Sequence, residues 1–211
     1  MQRLKSYQQR SRKRHRKSKR PTAASLSSVL DKLKIRDWDV LLFGDGSGHG
    51  WGIGCGWSCV LIDRLSRSRK LLYGSMNSGT VNVGELMAYV HAMLWYSGQA
   101  AKAGNKRAPL NVHIVTDSRV IAQQGTAMEV AGNESIANRA LWMSMKALAR
   151  QGFVFHYHWI ERLTVDLNWG ADQMAGKARI ALDDLILEDQ HPDAQGDYPE
   201  VSIYDLNPSG G

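Results

Sequence analysis

At 211 residues, 43% of them hydrophobic, the chain is long enough for one full domain with an adequate core and tails to spare. Its formal charge of +7 is a tail property: residues 1–20 hold ten Lys or Arg and no acid, which leaves 17 basic against 20 acidic residues, or −3, for 21–211. No stretch approaches the roughly 18 apolar residues of a membrane span, and no signal-type apolar region follows the N-terminus. A soluble protein without a membrane partner is therefore expected, cytoplasmic, or nuclear or organellar if the source is eukaryotic.

The first segment, 1–20, carries Arg10, Arg12, Lys13, Arg14, Arg16, Lys17, Lys19 and Arg20. A dense positive run without apolar periodicity builds no core and is expected to be disordered alone, yet it attracts nucleic-acid phosphates through counterion release. The plainer readings are a solubilising run or an import address. A transit peptide fits less well, because only Leu4 and Tyr7 could form an apolar face. Residues 21–36, small and polar at first and then weakly amphipathic around Val29, Leu30 and Leu33, read as a linker.

Val40-Leu41-Leu42-Phe43 then reads as a short strand ending at Gly44-Asp45-Gly46. Gly48 to Gly54 reads as a hairpin turn, with a returning strand from Cys55 to Ile62 and a third near Leu71 to Ser75. Cys55 and Cys59, four apart on one strand, stand roughly 13 Å from each other at about 3.3 Å per residue, too far for a disulfide. Two reduced thiols are expected. Over 83–98 the period changes: Leu86, Val90, Met93 and Leu94 form the stripe of a core-facing helix, with Glu85 at its edge in the first turn. Asn111 to Val115 is a β-branched run closed by Thr116-Asp117-Ser118, and one or two helices follow through 119–124 and 134–150.

Phe153, Phe155, Tyr157 and Trp159 alternate with Val154, His156, His158 and Ile160, the period-2 pattern of a strand. A last helix is predicted over about 168–186, with Asp172 beside the stripe of Ala171, Met174, Ala175, Ala178, Leu182 and Leu185. Residues 187–211 hold six acids and no Lys or Arg and are expected to be largely disordered, an acidic tail able to compete for the basic one. Trp38, Trp57, Trp95, Trp142 and Trp159 fall in apolar patterns and read as core, whereas Trp51 and Trp169 are the better candidates for stacking. The order βββαβα(α)βα makes an α/β domain over 37–186, a mixed five-stranded sheet with helices packed on it.

Four acids stand in separately recognisable settings: Asp45, Glu85, Asp117 and Asp172. Each alone reads as an ordinary turn or cap residue. Asp45 is the more telling, because it closes a strand whose apolar run belongs in the sheet centre, where an unpaired carboxylate is costly unless a cation or donor meets it. Strand ends and helix starts can converge in one cleft. Converging carboxylates can hold two hard cations about 3.5–4 Å apart, which stabilise both the attacking and the leaving oxygen of a phosphodiester displacement.

With Asp45-Gly46-Ser47, the group Thr80, Asn82 and Glu85-Leu86-Met87-Ala88, Thr116-Asp117-Ser118, and Asn168 with Asp172 in that order, residues 38–186 resemble the ribonuclease H family, and its type I branch in particular. The resemblance implies a ribonuclease H-like fold and an endoribonuclease that cleaves the RNA strand of RNA–DNA hybrids, leaving a 5′-phosphate. It implies two Mg2+ ions, or Mn2+, with Asp45 bridging both, Glu85 and Asp117 holding one, and Asp172 completing the other. Gly46, Ser47, Thr80, Asn82 and Asn168 would then contact substrate. Asn82 is equally open to a capping role on the helix of Glu85.

Two departures stand out. Arg162 occupies the place, about ten residues before the last aspartate, where many family members carry a mobile histidine, and it is expected to act electrostatically on substrate. The stretch 119–133 lacks the Lys- and Trp-rich protrusion by which some members grip hybrid, a task the basic tail could take over. Other nucleases of the same fold, resolvase- or integrase-like, and a non-catalytic hybrid-binding module are the competing readings. A monomer is expected.

Overall fold

The apolar run at Val40 becomes the middle of a sheet covered on both faces. The computed structural model describes residues 24–48, 54–102, 110–131, 138–162, 166–187 and 202–205; the basic tail at 1–20, Trp51 and most of the acidic tail lie outside them. In chain order the described elements are α1 (Leu26–Lys32), β1 (Val40–Gly48), β2 (Cys55–Asp63), β3 (Ser68–Met76), α2 (Val81–Lys102), β4 (Leu110–Thr116), α3 (Arg119–Ala131), α4 (Arg139–Ala149), β5 (Phe153–Trp159), α5 (Asp166–Leu187) and β6 (Ser202–Asp205). The strand order is β5-β4-β1-β2-β3-β6. β1, β2 and β3 form an antiparallel meander, while β4 runs parallel to β1 and β5 parallel to β4. The mixed five-stranded sheet expected from the sequence is present. β6 adds a short antiparallel edge on β3, so 202–205 depart from the disorder expected of 187–211.

Two cores explain why β1 reads as an unbroken apolar run rather than an alternating one. Val40 and Leu42 join Leu86, Tyr89, Met93, Ile114 and Trp142 on the side of α2 and α4. Leu41 and Phe43 join Val60, Ile62, Val115, Ile160 and Leu167 on the opposite side, where α5 begins. Cys55 and Cys59 are buried free thiols on β2.

Three expectations need correction. The segment read as a linker holds α1, capped by the Ser25 hydroxyl accepting from Ser28 N–H at 3.2 Å. Val29 and Ile35 are buried in the second core, because the outer face of β1 and β2 is apolar and needs cover. Leu94 is 50% exposed; the stripe of α2 runs instead through Leu86, Tyr89, Val90 and Met93. Trp159 is 42% exposed, since β5 is the sheet edge, and Arg119 at the start of α3 lies over its ring. No helix among the described residues is long and apolar enough to cross a membrane.

Candidate metal centre

β1 and β4 pair from Val40↔Val112 to Phe43↔Val115 and then part. At the parting point the Tyr89 hydroxyl lies 3.0 Å from Gly44 O and 3.4 Å from Val115 O, tying the two strand ends to α2. Asp45 follows on β1 and Asp117 follows β4, so the gap between the strands is faced by two carboxylates. α2 supplies the third. It starts after Thr80, whose hydroxyl accepts from Val83 N–H at 3.4 Å, and its first turns rest directly on β1. A Cβ on Gly46 would collide with Glu85 N and lie 2.6 Å from Gly84 C, so only glycine allows this approach. One oxygen each from Asp45, Glu85 and Asp117 then lie within 4.8 Å of one another.

Burial and mutual repulsion oppose full ionisation of this trio. Asp45 is 4% exposed, and burial, followed by the Asp117 charge and then Asp172, pushes its carboxyl up to about 8, against the lowering effect of the Gly46 N–H that donates to it at 2.8 Å. Burial also raises Glu85, with the Ser118 hydroxyl favouring its charged form and the Asp117 charge opposing it. Asp117 is raised by burial as well, while the Arg162 charge and the Asn168 amide favour its ionised form. Glu85 Oε2 is buried without a hydrogen-bond partner. An orphaned carboxylate oxygen and three converging oxygen donors suit a hard divalent cation, which takes carboxylate oxygens and relieves their mutual repulsion.

Asp172, on the second turn of α5, lies beside the trio. Its Oδ1 accepts from Arg162 Nη2 at 2.7 Å and its Oδ2 from Gln173 Nε2 at 3.1 Å. Arg162 also lies 3.7 Å from Asp117 Oδ2. Asn168 is wholly buried next to Asp117, close enough to favour its charged form though neither amide atom makes a hydrogen bond of full geometry. Ser47, Gly48, Val81 and Arg162 complete the walls of an open cleft of about 290 Å3 over the trio and Gly46.

Among the other residues read from the sequence, Asn82 is exposed in the first turn of α2, and the capping role open to it belongs to Thr80. The Ser47 hydroxyl accepts from Arg179 Nε at 3.0 Å, a contact across 132 residues that no local pattern signals. His156 and His158 stand apart with His113: His158 Nε2 lies 2.8 Å from His113 Nδ1, and His156 Nε2 is 3.4 Å from Asn111 Oδ1. Tyr89 and Arg179 are the structural supports missed in the sequence. Tyr89 follows Glu85 by four residues, and that i, i+4 placement was its available signal. Trp159 donates from Nε1 to Asp117 O at 3.0 Å, under the Arg119 guanidinium at 4.7 Å. The side chain of Trp169 lies outside the described residues.

No family model matches the sequence, and no curated protein matches it. Solved structures do resemble it. The N-terminal RNase H domain of Rv2228c from Mycobacterium tuberculosis, determined as a fusion with maltose binding protein, is 21% identical, with a TM-score of 0.54 over 71% of this chain and 99% of that one. LC11-RNase H1, isolated from compost by a metagenomic approach, is 17% identical, with a TM-score of 0.51 over 68% of this chain and 96% of that one.

Proposed function

We propose, from the ribonuclease H fold that the chain shares with these domains, that it is a metal-dependent endoribonuclease acting on the RNA strand of RNA–DNA hybrids and leaving a 5′-phosphate. The reading rests above all on Asp45, Glu85 and Asp117, three carboxylates from three elements brought within 4.8 Å in an open cleft. Mg2+ is the ion proposed, with Mn2+ as its substitute. Held by these carboxylates and Asp172, such ions would supply electrostatic stabilisation of the pentacovalent phosphate and a water of lowered pKa.

The protein's own groups have separable tasks. Asp45 is the carboxylate shared by the whole site, since its charge is coupled to both Asp117 and Asp172. Glu85 and Asp117 form the pair with it at the trio. Gly46, Ser47 and Gly48 line the cleft with Val81, and Thr80 and Asn82 stand at the same end of α2. Backbone and small polar groups there suit the minor groove of a hybrid, where ribose 2′-hydroxyls distinguish RNA from DNA. Asn168 supports Asp117 by holding its charged form. The tail at 1–20 would add affinity for phosphates that is steeply salt-dependent.

Incubating the full chain with Mg2+ and a hybrid labelled on either strand tests this reading. Loss of the RNA strand alone, abolished by Asp45→Asn, supports it. Cleavage of the DNA strand or of duplex DNA would replace it with a resolvase-like activity.

A further inference from the structure

The cleft holds one basic side chain among its described lining residues, Arg162, and that side chain sits on the carboxylates. Its guanidinium bridges Asp172, at 2.7 Å, and Asp117, at 3.7 Å. The two acids differ in what remains free. Asp117 still offers an oxygen to the trio with Asp45 and Glu85. Asp172 has both oxygens engaged, one by Arg162 and the other by Gln173, and it is not part of the group that converges within 4.8 Å.

We infer that the Arg162 guanidinium competes with a divalent cation for Asp172, so that the protein takes up its first ion at Asp45, Glu85 and Asp117 and a second only as Arg162 is displaced. This rests on the proposed metal-dependent reading and adds a gate to it. A guanidinium and a metal ion cannot share the same carboxylate lone pairs, so each weakens the other by the same factor. Arg162 is suited to such exchange. Its side chain is 66% exposed, so the guanidinium can leave Asp172 for water with little loss, as exposed ion pairs are weak. Arginine also remains charged at any working pH, so its own hold on Asp172 does not depend on its losing a proton. Arg162 is thus a positioning residue, acting on the ions through Asp172.

Calorimetric titration of the full chain with Mn2+, without nucleic acid, tests this directly. The native chain is expected to bind one ion in a first step and a second more weakly. Arg162→Gln is expected to strengthen the second step by at least about fivefold, within the usual range of coupling between sites, and to change the first step less, since Arg162 reaches the trio only through its longer contact with Asp117. Arg119→Gln, which removes an equal charge from the neighbouring helix, is the control and is expected to shift neither step by more than about twofold. An unchanged or weakened second step in Arg162→Gln overturns the inference, and so does an equal strengthening in Arg119→Gln, which would reduce the effect to distant charge. If the native chain and Asp45→Asn bind Mn2+ alike, the metal-dependent reading itself fails. That outcome is distinct from an Arg162→Gln titration that merely matches the native one.

Discussion

Tyr89 reaches across from α2 to Gly44, with its hydroxyl 3.0 Å from Gly44 O and 3.3 Å from Gly44 N, one residue before Asp45. The ring is fully buried and fills the space where β1 and β4 cease to pair, so the hydroxyl replaces the ladder just where the strands part beside the carboxylate cleft. Tyr89→Phe keeps the ring and removes that bridge. Leaving buried backbone groups unpaired costs about 1–3 kcal/mol, so the denaturant midpoint is expected to fall by a matching amount. Cleavage of hybrid is expected to fall further than stability does, because Asp45 and Asp117 lose their common support. A variant with native stability and native rate would show that the hydroxyl supports neither strand end.

Gly46→Ala is expected to be more damaging to the site than to the fold. The new Cβ would meet backbone atoms at Glu85 and Gly84, and backbone cannot rotate away as a side chain can. α2 must then lift from β1, carrying Glu85 out of reach of Asp45. Mn2+ affinity at the trio is expected to drop by an order of magnitude or more, as expected when a metal ligand loses its orientation. Circular dichroism would still show a folded protein, and an unchanged affinity would refute the contact.

The histidine cluster gives a pH dependence of known sign. His113 Nε2–H donates to Asp37 O at 2.9 Å, which leaves Nδ1 to accept from His158 Nε2–H. Burial, then the neighbouring His113 and His156, lower His158 from 6.5 to about 4. His113 is also lowered by burial and by His156, although Asp37 and Asp39 pull the other way. A base held neutral in the fold favours the unfolded chain once protons become available. The stabilisation is therefore complete above about pH 6.5 and is lost as pH falls towards about 4. The melting temperature should decline across that window, and His158→Gln should flatten the decline. An equal slope in the variant would place the acid sensitivity elsewhere.

Deletion of residues 2–20 removes ten Lys or Arg and no described element. The Michaelis constant for hybrid is expected to rise at low salt and its salt dependence to flatten, since fewer phosphate contacts release fewer counterions. An unchanged constant at low salt would remove the tail from substrate binding.

Much of the sheet was legible because β1, β2 and β5 declare themselves through apolar runs and period-2 alternation, and Gly or Asp flanks them. Asp45, Glu85 and Asp117 were legible for the same reason, each closing or opening such an element. What stayed hidden depends on contacts far apart in sequence. The closeness of α2 to β1 appears only when Gly46 meets Gly84, and Arg179 reaches Ser47 from a helix at the other end of the domain. α1 looked like a linker because its stripe is short; its burial comes from a sheet face that local periodicity cannot see. Trp159 looked like core because β5 alternates, yet the edge position of β5 leaves its ring exposed beside Asp117.

The most direct measurement is cleavage of a strand-labelled RNA–DNA hybrid with Mg2+, beside matched duplex DNA, duplex RNA and the Asp45→Asn, Glu85→Gln and Asp117→Asn variants. Loss of only the hybrid's RNA strand, with 5′-phosphate ends and at least a hundredfold slower in each variant, is the expected result. Tight, metal-independent binding of hybrid without cleavage, or cutting of the DNA strand, would contradict it.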